Sequence, residues 1–309
     1  AVDGGLDVTD SAGRPSLLEV RRDLRADCSR CAGLCCVAPA FAQSADFAIS
    51  KPAGLACPNL GSDFGCNIHG TLRERGFPGC AVFDCFGAGQ QVVQGTFAGR
   101  DWLEAPETAA SMFDVFGVMR QLKELLWYLA EALAHLPSGP LQEQVEQVQQ
   151  RTRRLVEGSA HELERLDPRT LRAQVGPLLG EVSETLRADV PGRGPDRPGA
   201  DLIGADLEGA DLRGVSLRGA YLIGADLSAA NLGRTDVLGA DVRGADLSGA
   251  SLEDALFLTQ PQLEAARGDR ATSIPPWLDR PRRWSVSAAP PRSARPHKGR
   301  GRARRRSGD

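Results

Sequence analysis

From Ala200 onward the chain repeats itself every five residues: ADLIG, ADLEG, ADLRG, VSLRG, AYLIG, ADLSA, ANLGR, TDVLG, ADVRG, ADLSG, ASLED. Eleven units follow one another without a gap, and ALFLT at 255–259 reads as a twelfth. A period of five matches neither the helix nor the two-residue alternation of a strand, so the block needs an architecture of its own. Each unit begins with a small residue and carries Leu or Val third. If both point inward, each unit forms one wall of a narrow tube, in which only alanine-sized side chains fit beside leucine. The second position, mostly aspartate, then faces water. Low-complexity disorder does not require an apolar residue at this fixed spacing.

This pattern resembles the pentapeptide-repeat family, and the resemblance implies a right-handed quadrilateral β-helix with four units to a coil. Eleven or twelve units would make about three coils, which at the ~4.8 Å spacing of paired strands form a tube only ~14 Å long. Open coil ends expose unpaired backbone groups. The segment 257–267 is expected to form a short helix over one end. The helical region, or a homodimer contact, would cover the other. Some members of the family mimic duplex DNA and protect gyrase from quinolones. Here ten acids stand against four arginines over residues 200–254, and ~20 base pairs span roughly 68 Å, several times the tube's length. The repeat therefore reads as a scaffold that docks a protein partner, with DNA mimicry as a minor alternative.

The other concentrated feature is cysteine. All eight lie between Cys28 and Cys85: Cys28, Cys31, Cys35, Cys36, Cys57, Cys66, Cys80 and Cys85. A C-x-x-C turn places two thiolates on one ion readily, and several such sulfurs would equally hold an iron–sulfur cluster. Large apolar residues are sparse around them, so bound metal would supply stability that packing does not. The elements Cys57-Pro-Asn-Leu, Cys66-Asn-Ile-His69 and Arg75-Gly-Phe-Pro-Gly-Cys80 resemble a bacterial family of cysteine-cluster proteins described as zinc- or iron-chelating. His69 takes that family's aromatic position, and two residues separate Arg75 from Pro78. The expected ligands are all eight cysteines, with His69 as an additional candidate against a purely structural role. The cofactor is zinc or an iron–sulfur cluster, and composition does not choose between them.

The remaining segments are simpler. Leu122, Leu125, Leu129, Leu133 and Leu136 share one helical face within about 106–136, with Ser111 and Asp114 as a candidate capping box. Leu141, Val145, Val148, Thr152 and Leu155 predict a second helix, and Leu171, Val175, Leu178, Val182 and Leu186 a third. Short connections favour packing as antiparallel neighbours. The stretch Pro191–Pro198 reads as a linker. From Arg267 onward thirteen basic residues face three acids. This stretch reads as a solvated terminus rather than a nucleic-acid arm. No run approaches the ~18 apolar residues of a membrane span. The first fifteen residues lack the regions of a secretory signal, so the expected compartment is the cytoplasm, where disulfides are rare. Lysine occurs only at Lys51, Lys123 and Lys298 in a chain that otherwise uses arginine.

The expected organisation is multidomain α+β: a Cys-rich metal-binding module, a helical middle, and a short quadrilateral β-helix. The divisions are a flexible N-terminus at 1–22, the cysteine module at 23–100, helices at 101–189 and a linker at 190–199. The repeat follows at 200–259, a cap at 260–280 and a disordered basic tail at 281–309. The leading function is a metal-binding interaction protein that senses metal or redox state. A metalloenzyme is the alternative, and no substrate or catalytic residue is named.

Overall fold

The structure, a computed structural model, describes residues 21–285. The expectations for the N-terminus through residue 20 and for the basic tail from residue 286 lie outside the described residues. Short helical turns dominate the first part: α1 (Leu34–Val37), α2 (Pro78–Ala81) and α3 (Ala88–Gln90), the last continued by a π-helical turn, Gln91–Thr96. Four helices follow, α4 (Ala109–His135), α5 (Pro140–Val156), α6 (Ala160–Glu164) and α7 (Pro168–Arg187). After the repeat block comes α8 (Gln260–Ala265). Among the described residues no helix is long and apolar enough to cross a membrane.

The long central helix α4 is the hub, packing against α5, α6 and α7. Leu122, Leu125 and Leu129 are buried on it, as the spacing predicts, together with Met112, Val115 and Met119, and Leu136 is buried just past its end. Its start differs from expectation. Pro106 opens a 3-10 turn, Pro106–Thr108, that leads into the helix at Ala109, and no side chain caps it. Proline's fixed φ suits a first turn, so the helical path is set upstream of Ser111. Ser111 instead donates its hydroxyl to Glu164 of α6. That short helix carries a capping box, Ser159 with Glu162, as does α8, Thr259 with Gln262.

The expected β-helix is corrected. Among the described residues there is no β-strand and no sheet, and the chain is mostly helical. The repeat block is a coil of turns whose circuits touch through isolated parallel bridges. These include Asp201 to Tyr221, Asp211 to Asn231, Tyr221 to Asp241 and Asn231 to Ser251, each twenty residues apart. One circuit thus takes four units. The physical reason is the shortness of the unit. Its fourth and fifth residues turn, with glycines such as Gly204 at φ 61° and Gly224 at φ 63°, so one residue per unit pairs, too few for a strand. The interior follows the pattern: Leu217, Leu222, Leu227 and Leu232 alternate with Ala220, Ala225 and Ala230, all essentially inaccessible to water. The coil continues past the repeat, Arg267 bridging to Asp246 and Ser273 to Ser251, with α8 inserted between circuits.

A single hydrophobic core runs from Leu24 through α4 and the coil interior to Trp284. Two buried arginines tie its parts. Arg21 pairs with Glu131 of α4 at 2.7 Å, both side chains 1% exposed, and stacks 3.8 Å over Trp127. Glu131 also accepts the Phe257 backbone N–H from the coil. Arg187, at the end of α7, donates to Asp196 at 2.7 Å and to the Gly214 carbonyl at 2.7 Å. The stretch read as a linker is therefore pinned: Asp196 accepts the Ser216 N–H, and Arg197 N–H pairs with the Ser216 carbonyl.

Candidate metal centre

The cysteines sit on turns rather than on long elements, and the turns are fixed by local chemistry. Asp27 caps the 3-10 turn Cys28–Arg30 by accepting the Ser29 N–H. Gly33 then adopts φ 63°, and a Cβ there would meet a Leu60 methyl at 2.7 Å. Both demands exclude a larger residue, and the reversal launches α1 with Cys35 and Cys36 side by side. Cys57 N–H donates to the Cys36 carbonyl at 2.9 Å, and Leu60 bridges Cys66. Cys80 lies within α2, and Cys85 precedes α3, its carbonyl accepting the Ala88 N–H. Gly89 lets α3 approach: a Cβ there would stand 2.3 Å from the Cys31 sulfur. Trp102 anchors the first loop, its indole N–H reaching the Ala32 carbonyl at 2.8 Å.

All eight cysteines are unbridged; Cys57 is buried, Cys28 exposed and the rest in between. Their mutual electrostatics sorts them. Cys28 and Cys31 are raised by burial first, then by the charge of Cys85; Cys31 reaches about 11 and also feels Cys28. Cys35 feels Cys31 and Cys85. In the other direction Cys66 is raised by burial, then by Cys36 and Cys57. Cys80 is pushed up to about 11 by burial, then by Cys36, Cys57 and Cys66. By these charges Cys28, Cys31, Cys35 and Cys85 fall on one side and Cys57, Cys66 and Cys80 on the other, while Cys36 acts on both, on Cys28 and Cys35 as well as on Cys66 and Cys80. The neighbours Cys35 and Cys36 join them, their sulfurs 4.0 Å apart. The contact with Cys35 and then the Lys51 charge lower Cys36 despite burial, while Cys35 is raised.

The sulfurs are near one another without being clenched. Among the described residues no three cysteine sulfurs all lie within 4.8 Å of one another; Asp206, Glu208 and Asp226 on the coil do meet that spacing. His69 is exposed at the start of a 3-10 turn, and its N–H donates to the Cys66 carbonyl at 3.1 Å. It is not among the leading charges acting on the cysteines. The two-glycine run Gly87-Ala-Gly89 serves the fold: Gly87 at φ 77° begins α3, and Gly89 admits Cys31.

Two buried lysines stand beside the cysteines, where the cysteine pattern alone gives no sign of them. Lys51 is 3% exposed, and its ammonium is held by the carbonyls of Val37, Pro52 and Leu55 at 2.9, 3.1 and 2.8 Å. Burial lowers its pKa, and the charges of Cys57 and Cys36 raise it back. Lys123 of α4 is 4% exposed, and burial lowers it too, while Asp23 and Cys85 oppose. Each cysteine group thus has one buried ammonium beside it. The signal was present in the sequence as the rarity of lysine, but nothing along the chain connected Lys123 to Cys85.

Comparison with known proteins agrees with the coil. The model of the family "Pentapeptide repeats" matches residues 199–234 and 225–257, in eight copies. A pentapeptide repeat protein from the Arabidopsis thaliana thylakoid lumen is 30% identical over 27% of this chain and 60% of its own, with a TM-score of 0.15, too low to bear on the fold. A further relative matches most of the chain. The "Uncharacterized protein YybG" of Bacillus subtilis (strain 168) is 53% identical over 270 residues, covering 86% of this chain and 96% of its own. Identity at that level across nearly the whole of both chains is kinship: this is a pentapeptide-repeat protein of the family to which YybG belongs.

Proposed function

We propose that the protein holds two metal centres, one on Cys28, Cys31, Cys35 and Cys85 and one on Cys36, Cys57, Cys66 and Cys80, and presents them, rigidly attached, beside a coil that docks a protein partner. The supporting observation is the clustering of eight unbridged thiols that act on one another through space, with buried Lys51 near Cys36 and Cys57 and buried Lys123 near Cys85. Half-buried thiols raised by desolvation are costly to ionise alone, and a bound cation removes that cost by holding them as thiolates. The buried ammonium groups offset the negative charge that four thiolates gather. The donor set fits metal.

The spacing favours iron–sulfur clusters over zinc. One zinc ion at ~2.3 Å from four sulfurs would draw them to ~3.8 Å of each other. A cluster distributes its cysteines over separate irons and so tolerates wider spacing. Such a centre would supply a redox-responsive charge, and the shared Cys35–Cys36 step would couple the two. A sensing role follows, with the exposed repeat side chains Ile203 and Tyr221 as part of the docking surface. The test is metal and sulfide analysis of protein purified without oxygen. Iron with sulfide supports this reading, zinc with a featureless visible spectrum replaces the clusters with zinc sites, and absence of both overturns it.

A further inference from the structure

We propose that the cleft between the cysteine-bearing segment and the last circuit of the coil binds a phosphate-bearing small molecule. A cavity of about 300 Å³ opens there, and four arginines line it: Arg73 from the turn before α2, Arg243 and Arg267 from the coil, and Arg283 from the closing 3-10 turn. Asp46 is the acid in the lining. That volume is at the lower end for small-molecule sites and exceeds what a lone phosphate fills.

The charges in the cleft are incompletely balanced within the protein. Arg243 is paired with Asp241 at 2.6 Å, and Arg283 with Glu264 at 3.3 Å. Among the described residues Arg73 donates only to the Glu264 backbone carbonyl. The Arg267 side chain makes no hydrogen bond or ion pair among the described residues, although its backbone is locked into the coil by Ala245 and Leu247. Arg73 and Arg267, both exposed, thus have no carboxylate partner among the described residues, and Asp46 shares the lining with them. Burial pushes Arg283 down first, and the neighbouring Arg73 charge adds to it. Like charges gathered in a concave site raise the local potential for an anion. Guanidinium forks match phosphate oxygens two at a time, and they do so with geometry that a point charge lacks.

Three segments distant in sequence, around Arg73, Arg243–Arg267 and Arg283, build the site. Occupancy would therefore bridge the second cysteine group, through α2 and Cys80, to the end of the coil. The inference does not depend on what the cysteines hold. The test is calorimetric titration of the full chain at low salt with inorganic phosphate and, separately, with glycerol phosphate. Saturable binding with Kd of about 1 mM or tighter is expected, weakened about tenfold or more by Arg267→Gln. The melting temperature of that variant should match the parent, since only its backbone carries structure. Tighter binding of the ester identifies a phosphate monoester, and tighter binding of phosphate the free anion; either supports the site. No saturable binding, equal affinity for acetate, or binding untouched by Arg267→Gln would overturn it.

Discussion

At the scale of single residues, the chemistry turns on where charge is allowed inside. Lys51 satisfies three carbonyls at once in a segment with little apolar packing. Replacing it with Met would keep the stem and lose every one of those bonds. Lys51→Met is predicted to cost about 2–4 kcal/mol, read from chemical unfolding of the protein as purified, because buried carbonyls lose a charged donor and gain nothing. A change under about 0.5 kcal/mol would show that water takes the ammonium's place. The individual cysteines were legible in the sequence, because residue type and clustering along the chain suffice to nominate a ligand. How they are brought together was not legible: α3 folds back so that Gly89 meets the Cys31 sulfur, an approach between residues 58 apart in the chain.

At the scale of elements, periodicity was a good guide to what packs and a poor guide to what pairs. The leucines of α4 and the Leu and Ala positions of the repeat are buried where their spacing put them. The strands inferred for the repeat are absent because a five-residue unit spends most of its length turning, which the period alone does not reveal. The junction of α7 with the coil was invisible for a different reason. A Pro- and Gly-rich stretch reads as loose unless its carboxylate is known to have a partner. Asp196 has two, the Arg187 guanidinium and the Ser216 N–H. Partial burial works against its charge, but the hydrogen bonds and the Arg187 charge prevail and hold the carboxyl below its ordinary 3.8. A lowered folded-state pKa means that this stabilisation is complete above the unfolded value and is lost as pH falls through the folded one. Asp196→Asn should therefore be less stable than the parent at neutral pH, and the gap should close well below pH 3.8. Thermal melts across that range check it; a gap that persists unchanged in acid would show that the charge is not what holds the junction.

At the scale of the whole molecule, the cysteine turns, the helices and the coil share one core, with the buried Arg21–Glu131 pair and the partly exposed Arg187–Asp196 pair at its joints. A change at a cysteine group is thereby mechanically connected to the coil, since α4 packs against α3 and its Glu131 holds the coil at Phe257. The proposed transmission from a metal centre to the coil rests on that continuity and, first, on there being two separate centres. The most direct measurement is metal and sulfide per chain in anaerobically purified protein, compared between the parent, Cys85→Ser and Cys80→Ser. The account predicts that each substitution removes about half of the bound metal. It predicts that the double variant removes nearly all of it. Loss of all metal from either single variant would mean one centre, and retention of full metal in both would remove these cysteines from the ligand set.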